Sequence, residues 1–380
     1  MKRLILVLIA VILSSSIFTA FAEPEPNFAK FKYEGVGTDP GATPEQIQAR
    51  MEALNSFIDL RYDATVQKYI DNYMKKGRKS FGELLVRAAY YMPIFERALK
   101  EADLPDELKY VPLIESALQA KVKSYAGAGG LWQFMPATAK GYDLKVNSHI
   151  DERSDPYSSS VGACKLFKKL YDKFGDWTLV LAAYNAGPGT VQKALKRAGG
   201  DPKEHNFWTI YNYLPGQTKA YVPKFIAMIY MMNYYPEHNI SKVPAGLALV
   251  TDTVHVRERV HFSQIASVLD VTVQDLRDLN PHFRSDVIVA SVGQPCNLIL
   301  PKDQIDLYRE NFSSIKEAAS TSTSSEVAET NSTAGKSSAR SSKATKSSSK
   351  SKSKLTASTS TKSGKKSSTA NSNTRRKRRR

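Results

Sequence analysis

The chain has 380 residues, a formal net charge of +17 and two cysteines. The basicity is local: Lys316 to Arg380 holds 17 Lys and Arg against 3 Asp and Glu, and Lys2 and Arg3 add two more charges at the other end. What remains to fold is close to neutral, which excludes reading a nucleic-acid-binding surface from charge, and two distant cysteines exclude a disulfide framework. At the start, two basic residues, the apolar run Leu4 to Leu13 and the small-residue signal Ala20-Phe21-Ala22 predict a signal peptide over 1–22. No cysteine lies near its cleavage site, so the reading is an exported chain without a lipid anchor. Residues 23–43, rich in Pro and Gly, read as an extended lead-in.

Helices follow. Thr43-Pro44-Glu45 is a cap with proline at the first helical position, and Ile47, Met51, Leu54, Ile58 and Tyr62 recur at helical spacing. A second amphipathic stretch covers Phe81 to Ala102, and Asp103-Leu104-Pro105 opens a third that carries Tyr110, Leu113, Ile114 and Glu115, with Pro112 expected to distort it. Further helices are predicted at Pro136 to Gly141, Val161 to Phe174, Trp177 to Asn185, Gly189 to Ala198 and Ala220 to Tyr235. Residues 44–240 therefore read as one mainly α domain.

A smaller unit, 250–303, follows in the order strand, helix, helix, strand: Thr253 to Val256, Phe262 to Leu269, Val273 to Leu279 and Asn297 to Leu300. From Ser313 to Arg380 the chain collapses into Ser, Thr, Lys and Ala, a composition that cannot repay the entropy of folding, so this basic tail is predicted to be disordered. It lacks interleaved aromatic residues for stacking bases, and export removes nucleic acid as a partner. Two readings remain for its charge: attraction to anionic polymers of the cell envelope, or solubility with no specific partner.

Glu115 is the first candidate for chemistry. It follows Val111, Leu113 and Ile114 in YVPLIESAL, where desolvation raises a carboxyl pKa and keeps a proton available near neutrality, as a general acid requires. On these residues alone a second reading stands beside it: a helix-end Glu paired with Lys109 or Lys121. The next segment, SYAGAGGLWQFMP from Ser124 to Pro136, combines glycines that allow close approach with Trp132, Phe134 and Met135 as expected apolar surface around Gln133. Aromatic faces beside amides and hydroxyls suit a sugar-binding groove. AAYNAGPG, with Tyr184 and Asn185, repeats the pattern.

The series ES, S-x-AGA-x-GLWQFMP, DER-x-DP, LAAYNAG and LP-x-x-T-x-x-YVPK resembles the soluble lytic transglycosylase domain, and in particular the membrane-bound lytic murein transglycosylase D family. That resemblance implies a goose-type lysozyme-like helical fold, peptidoglycan glycan strands as substrate and Glu115 as the single catalytic residue. It implies no metal or cofactor. By matched position Ser124 and Gln133 would hold glycan, Tyr184 and Asn185 would line the groove with Tyr184 bonded to Glu115 or sugar, and Tyr221 would be a weaker candidate there. Either tyrosine could instead be a core ring with a satisfied hydroxyl, a reading that weighs more for Tyr221 than for Tyr184. Asp151, Glu152, Arg153 and Asp155 read as loop-fixing residues, since the family's chemistry does not require them. The family name also leaves membrane association open. Residues 253–301 resemble a LysM module, a βααβ unit that binds N-acetylglucosamine chains, but Glu258 to Phe262 replaces the usual Gly-Asp-Thr-Leu. The fold is expected there more firmly than glycan binding.

Overall fold

The computed structural model describes residues 34–243 and 250–318. The predicted signal peptide, most of the lead-in and the tail beyond residue 318 lie outside the described residues. Within them the first unit is helical and the second carries short antiparallel strands, so the chain is mainly α with a small α+β module. Among the described residues no helix is long and apolar enough to cross a membrane.

Helix α1, Pro44–Glu52, begins in a full capping box: the Thr43 hydroxyl accepts the Gln46 amide, and the Gln46 side chain accepts the Thr43 amide. Its apolar series promised a longer helix, yet the backbone leaves it after Glu52. Ser56 shows why: its hydroxyl bonds the backbone of Ile58 and fixes a turn, while Ile58 still reaches the core. Asp63 then caps a separate helix, α2, Ala64–Lys75, whose Val66, Ile70 and Met74 are buried. Helix α3 spans Arg78–Glu101.

The expected third helix is two pieces, a 3₁₀ turn over Asp106–Tyr110 and α4 over Val111–Ser116. Pro112 sits in the first turn of α4, where a missing N–H is no loss. It starts this helix instead of distorting one. Helices α5 (Pro136–Gly141), α6 (Pro156–Phe174), α7 (Trp177–Ala186), α8 (Pro188–Ala198) and α9 (Phe207–Ile210) follow. Helix α10, Gly216–Tyr234, is apolar over most of its surface because it runs through the middle of the unit, packed on α2, α7 and α4.

In the second unit β1 (Thr251–Val256) pairs antiparallel with β4 (Cys296–Pro301), Thr251 opposite Pro301 and Val256 opposite Cys296. Between them lie β2 (Val260–His261), α11 (Phe262–Ala266), α12 (Val273–Leu279) and β3 (Val287–Ile288), with β2 and β3 forming a second short ladder that the sequence did not disclose. Helix α13, Ile305–Glu310, and a further helical turn over 312–318 close the module. Helical chain therefore continues past Ser313, where the tail was expected to begin. Ile315 is fully buried and its carbonyl accepts the Gln264 amide.

Candidate active site

Short helix α4 ends at Ser116, and Glu115 on its last turn faces α10. Tyr221 of α10 donates its phenol O–H to Glu115 Oε1 at 2.6 Å. Desolvation pushes the Glu115 carboxyl up to about 7, against the opposing pull of the Tyr221 hydrogen bond and of the Lys224 ammonium. The ion-pair reading for Glu115 does not hold for Lys109, whose ammonium is spent on Glu96 at 2.7 Å and Asp106 at 2.5 Å.

The backbone around Glu115 is strained. Ala117 and Leu118, directly after α4, have φ of 51° and 61°, and Gln133 has φ of 50°. Each left-handed non-glycine residue costs about 1–2 kcal/mol, so other contacts must hold them in place. Arg87 Nε donates to the Ala117 carbonyl at 2.9 Å. The buried Ser116 hydroxyl reaches the carbonyls of Pro112 and Leu131 at 3.0 and 2.9 Å, tying the Glu115 helix to the glycine-rich loop. Neither Arg87 nor the bridging use of Ser116 was apparent from sequence, although Ser116 is half of the ES pair.

The loop itself is a tight double turn. Ser124 is exposed at its tip, its amide donating to the Ala128 carbonyl at 2.8 Å and its hydroxyl accepting the Ala128 amide at 3.0 Å. Gln133 is partly buried and its side-chain amide is occupied by the carbonyls of Gly130 and Val122, at 2.8 and 3.3 Å. Trp132 and Phe134, expected as groove surface, are core residues instead: Trp132 is fully buried, its indole N–H donating to Ser160. Met135 and the fully exposed Tyr125 are the apolar side chains this segment offers to solvent.

The two tyrosines exchange the roles expected of them. Tyr184 donates to the Trp132 carbonyl at 2.7 Å and stacks on Phe167, so it supports the loop, while Tyr221 is the one bonded to Glu115. Burial, and then the nearby Glu115 charge, push both phenols well above their ordinary range. Asn185 is partly buried beside Tyr184 near the end of α7. The signal for Tyr221 was its place in YVPK, one helical turn before Lys224.

The DER-x-DP residues do fix loops. Glu152 accepts the Lys145 amide at 2.7 Å, Asp155 caps α6 through the Ser158 amide at 2.6 Å, and Arg153 forks onto Asp151 with two bonds of 2.8 Å. A cleft of about 820 Å³ lies elsewhere, lined by Phe57, Glu107, Tyr110 and Asn233 among others, and includes neither Glu115 nor the glycine loop.

Residues 92–207, which contain Glu115, the glycine loop and α7, match the family model described as Transglycosylase SLT domain. The chain carries a transglycosylase SLT domain. Its residues 250–317 match the model described as Lytic transglycosylase MltD, LysM-like domain. Over 258 residues the chain is 31% identical to the membrane-bound lytic murein transglycosylase D of Escherichia coli strain K12, covering 68% of this chain and 55% of that protein. It is 28% identical over 181 residues to the soluble lytic murein transglycosylase of the same strain, 46% of this chain and 26% of the relative. This SLT-domain chain thus spans about half the length of the first of these relatives. Among solved structures, the 70 kDa soluble lytic transglycosylase from Escherichia coli aligns at 20% identity over 56% of this chain and 41% of its own, with a TM-score of 0.34.

Proposed function

We propose that the chain is a peptidoglycan lytic transglycosylase that cleaves the β-1,4 bond between N-acetylmuramic acid and N-acetylglucosamine without water, with Glu115 as acid and then base. The observation that carries this is the state of Glu115: a desolvated carboxyl titrating near 7, held by one phenol, beside a glycine-rich loop. A group with that pKa populates both forms at neutral pH and can give and then take a proton.

In the first step the Glu115 proton passes to the glycosidic oxygen as its bond to the muramoyl anomeric carbon breaks. The carboxylate then accepts the proton of the muramoyl O6 hydroxyl, whose oxygen bonds the anomeric carbon to leave a 1,6-anhydromuramoyl end. A hydrolytic glycosidase needs a second carboxylate for nucleophile or base. The lone-acid route needs none, and the charged group that acts on Glu115 is the Lys224 ammonium. Exposed Ser124 and the partly buried Gln133 and Asn185 border the glycan path; Tyr184 supports the loop behind it and Tyr221 tunes the acid. The chain works in the cell envelope after export, on peptidoglycan, and its basic tail meets anionic envelope polymers there.

The test is mass spectrometry of glycan digested by the native chain and by Glu115→Gln in ¹⁸O-labelled water. Anhydromuramoyl ends without label, lost in the variant, are the expected result. Label incorporation at a reducing end would establish a hydrolase instead, and equal products from both chains would remove Glu115 from the mechanism.

A further inference from the structure

The LysM-like module is joined to the catalytic unit through the loop that follows α5, and the joint is polar, with Asp151, Arg153 and His282 buried and Arg284 at its exposed edge. The Asp151 amide donates to the His282 carbonyl at 2.8 Å and the Arg284 amide to the His149 carbonyl at 3.0 Å, a short antiparallel bridge that brings Ile150 opposite Phe283 and into the module's own core. In return, Leu279 and Ile299 of the module belong to the catalytic unit's core. His282 is buried, with Nε2 on the Asn297 carbonyl at 2.9 Å and Nδ1 at 3.5 Å from Asp155.

At the centre of the joint, Asp151 lies between two guanidinium groups. Arg284 of the module approaches Oδ2 at 2.9 Å, and Arg153 of the catalytic unit holds both oxygens at 2.8 Å. Arg153 is itself 4% exposed, and its remaining nitrogen Nη1 donates to the Gly127 carbonyl at 2.9 Å and the Phe134 carbonyl at 3.0 Å, the two flanks of the glycine loop. A Cβ on Gly129 would stand 3.1 Å from that guanidinium, and one on Gly130 only 1.7 Å from the Arg153 carbonyl. The loop that presents Ser124 and Gln133 is therefore laid directly on Arg153.

We infer that Arg284, Asp151 and Arg153 form a positioning relay, through which the LysM-like module holds the glycine loop of the catalytic site in its working shape. The module is then part of the active-site scaffold, whatever glycan it does or does not bind. A planar guanidinium is suited to this, since its fixed fork can hold a carboxylate on one edge and two carbonyls on the other. Asp151 keeps that fork oriented, and Arg284 keeps Asp151 charged and aligned.

The inference rests on the transglycosylase reading only for its kinetic readout, so the full chain is tested in two ways. Arg284→Ala is compared with Arg284→Lys and with Lys145→Ala, whose ammonium crosses the same joint to the Pro295 carbonyl but touches none of the relay. Amide hydrogen exchange over residues 124–134 needs no activity: it should speed up in Arg284→Ala, return toward native in Arg284→Lys and stay native in Lys145→Ala. With glycan as substrate, Arg284→Ala should raise KM by about two- to thirtyfold with a smaller change in kcat, the range expected of a residue that acts on a site through intermediates. Native exchange over 124–134 in Arg284→Ala, or equal loosening in Lys145→Ala, would overturn the relay. Absent turnover in the native chain would instead overturn the proposed activity while the exchange result stood.

Discussion

Glu115 should betray its environment as much through stability as through turnover. It titrates near 4.5 when unfolded and near 7 when folded, so between those values the folded chain binds more protons and its stability falls as pH rises. Replacing the carboxyl by an uncharged amide removes that loss. Glu115→Gln should match the native chain at pH 4 and be more stable at pH 8 by up to about 3 kcal/mol, read by chemical denaturation at the two values. Equal stability at both would mean that the carboxyl is not desolvated. The tyrosines separate by the same logic. Tyr221→Phe removes a donor that favours the carboxylate, so the alkaline limb of the pH–rate profile should move upward, whereas Tyr184→Phe should leave the limb in place because its hydroxyl serves the Trp132 carbonyl. The sequence identified Glu115 and both phenols but not their pairing. The motif resemblance singles out Tyr184 and Tyr221, while which of them meets Glu115 depends on how α10 crosses α4.

At the scale of elements, the glycine loop shows how unequal neighbouring glycines are. Gly130 combines φ of +80° with a Cβ position 1.7 Å from the Arg153 carbonyl, so no side chain fits without moving the DER-x-DP backbone. Gly127 has φ of +88° but open space around it. Gly130→Ala should thus cost at least about 4 kcal/mol or prevent folding, and Gly127→Ala only the left-handed penalty of about 1–2 kcal/mol, measured as denaturant midpoints. Similar losses for the two would show that backbone conformation, not crowding, is what selects glycine at both. Reading the segment as close-approach backbone was sound, but the approaching group is Arg153. Its aromatics were misread for a related reason: Trp132 and Phe134 in a glycine-rich context look like groove surface, and only the packing of α3 and α6 around Trp132, with Phe95 and Phe167 at its edges, turns that ring inward. Caps behaved differently. Thr43-Pro44 is a local signal and was readable, while the end of α1 was set by a Ser56 turn that helical periodicity hides.

For the whole molecule, the order of two units was readable from composition and periodicity, while their joint was not. Asp151 and Arg284 lie 133 positions apart, and nothing in either motif announces the other. If the joint is as integral as its exchanged core residues Ile150, Leu279 and Ile299 indicate, the two units should open together, and the two cysteines can report it. Cys164 is buried in α6 with its thiol pushed up to about 12, and Cys296 is buried on β4 with its thiol raised as well. Thiols of that kind react only once exposed as thiolate, so both should resist a thiol reagent in the native chain at pH 8. In single-cysteine variants, Cys296→Ala reporting on the catalytic unit and Cys164→Ala on the module, labelling should begin at the same denaturant concentration. Arg284→Ala should separate the curves, with Cys296 exposed first, because the module has the smaller core and loses its charged tie. Labelling of Cys296 well before Cys164 in the otherwise native chain would mean that the module is a tethered appendage.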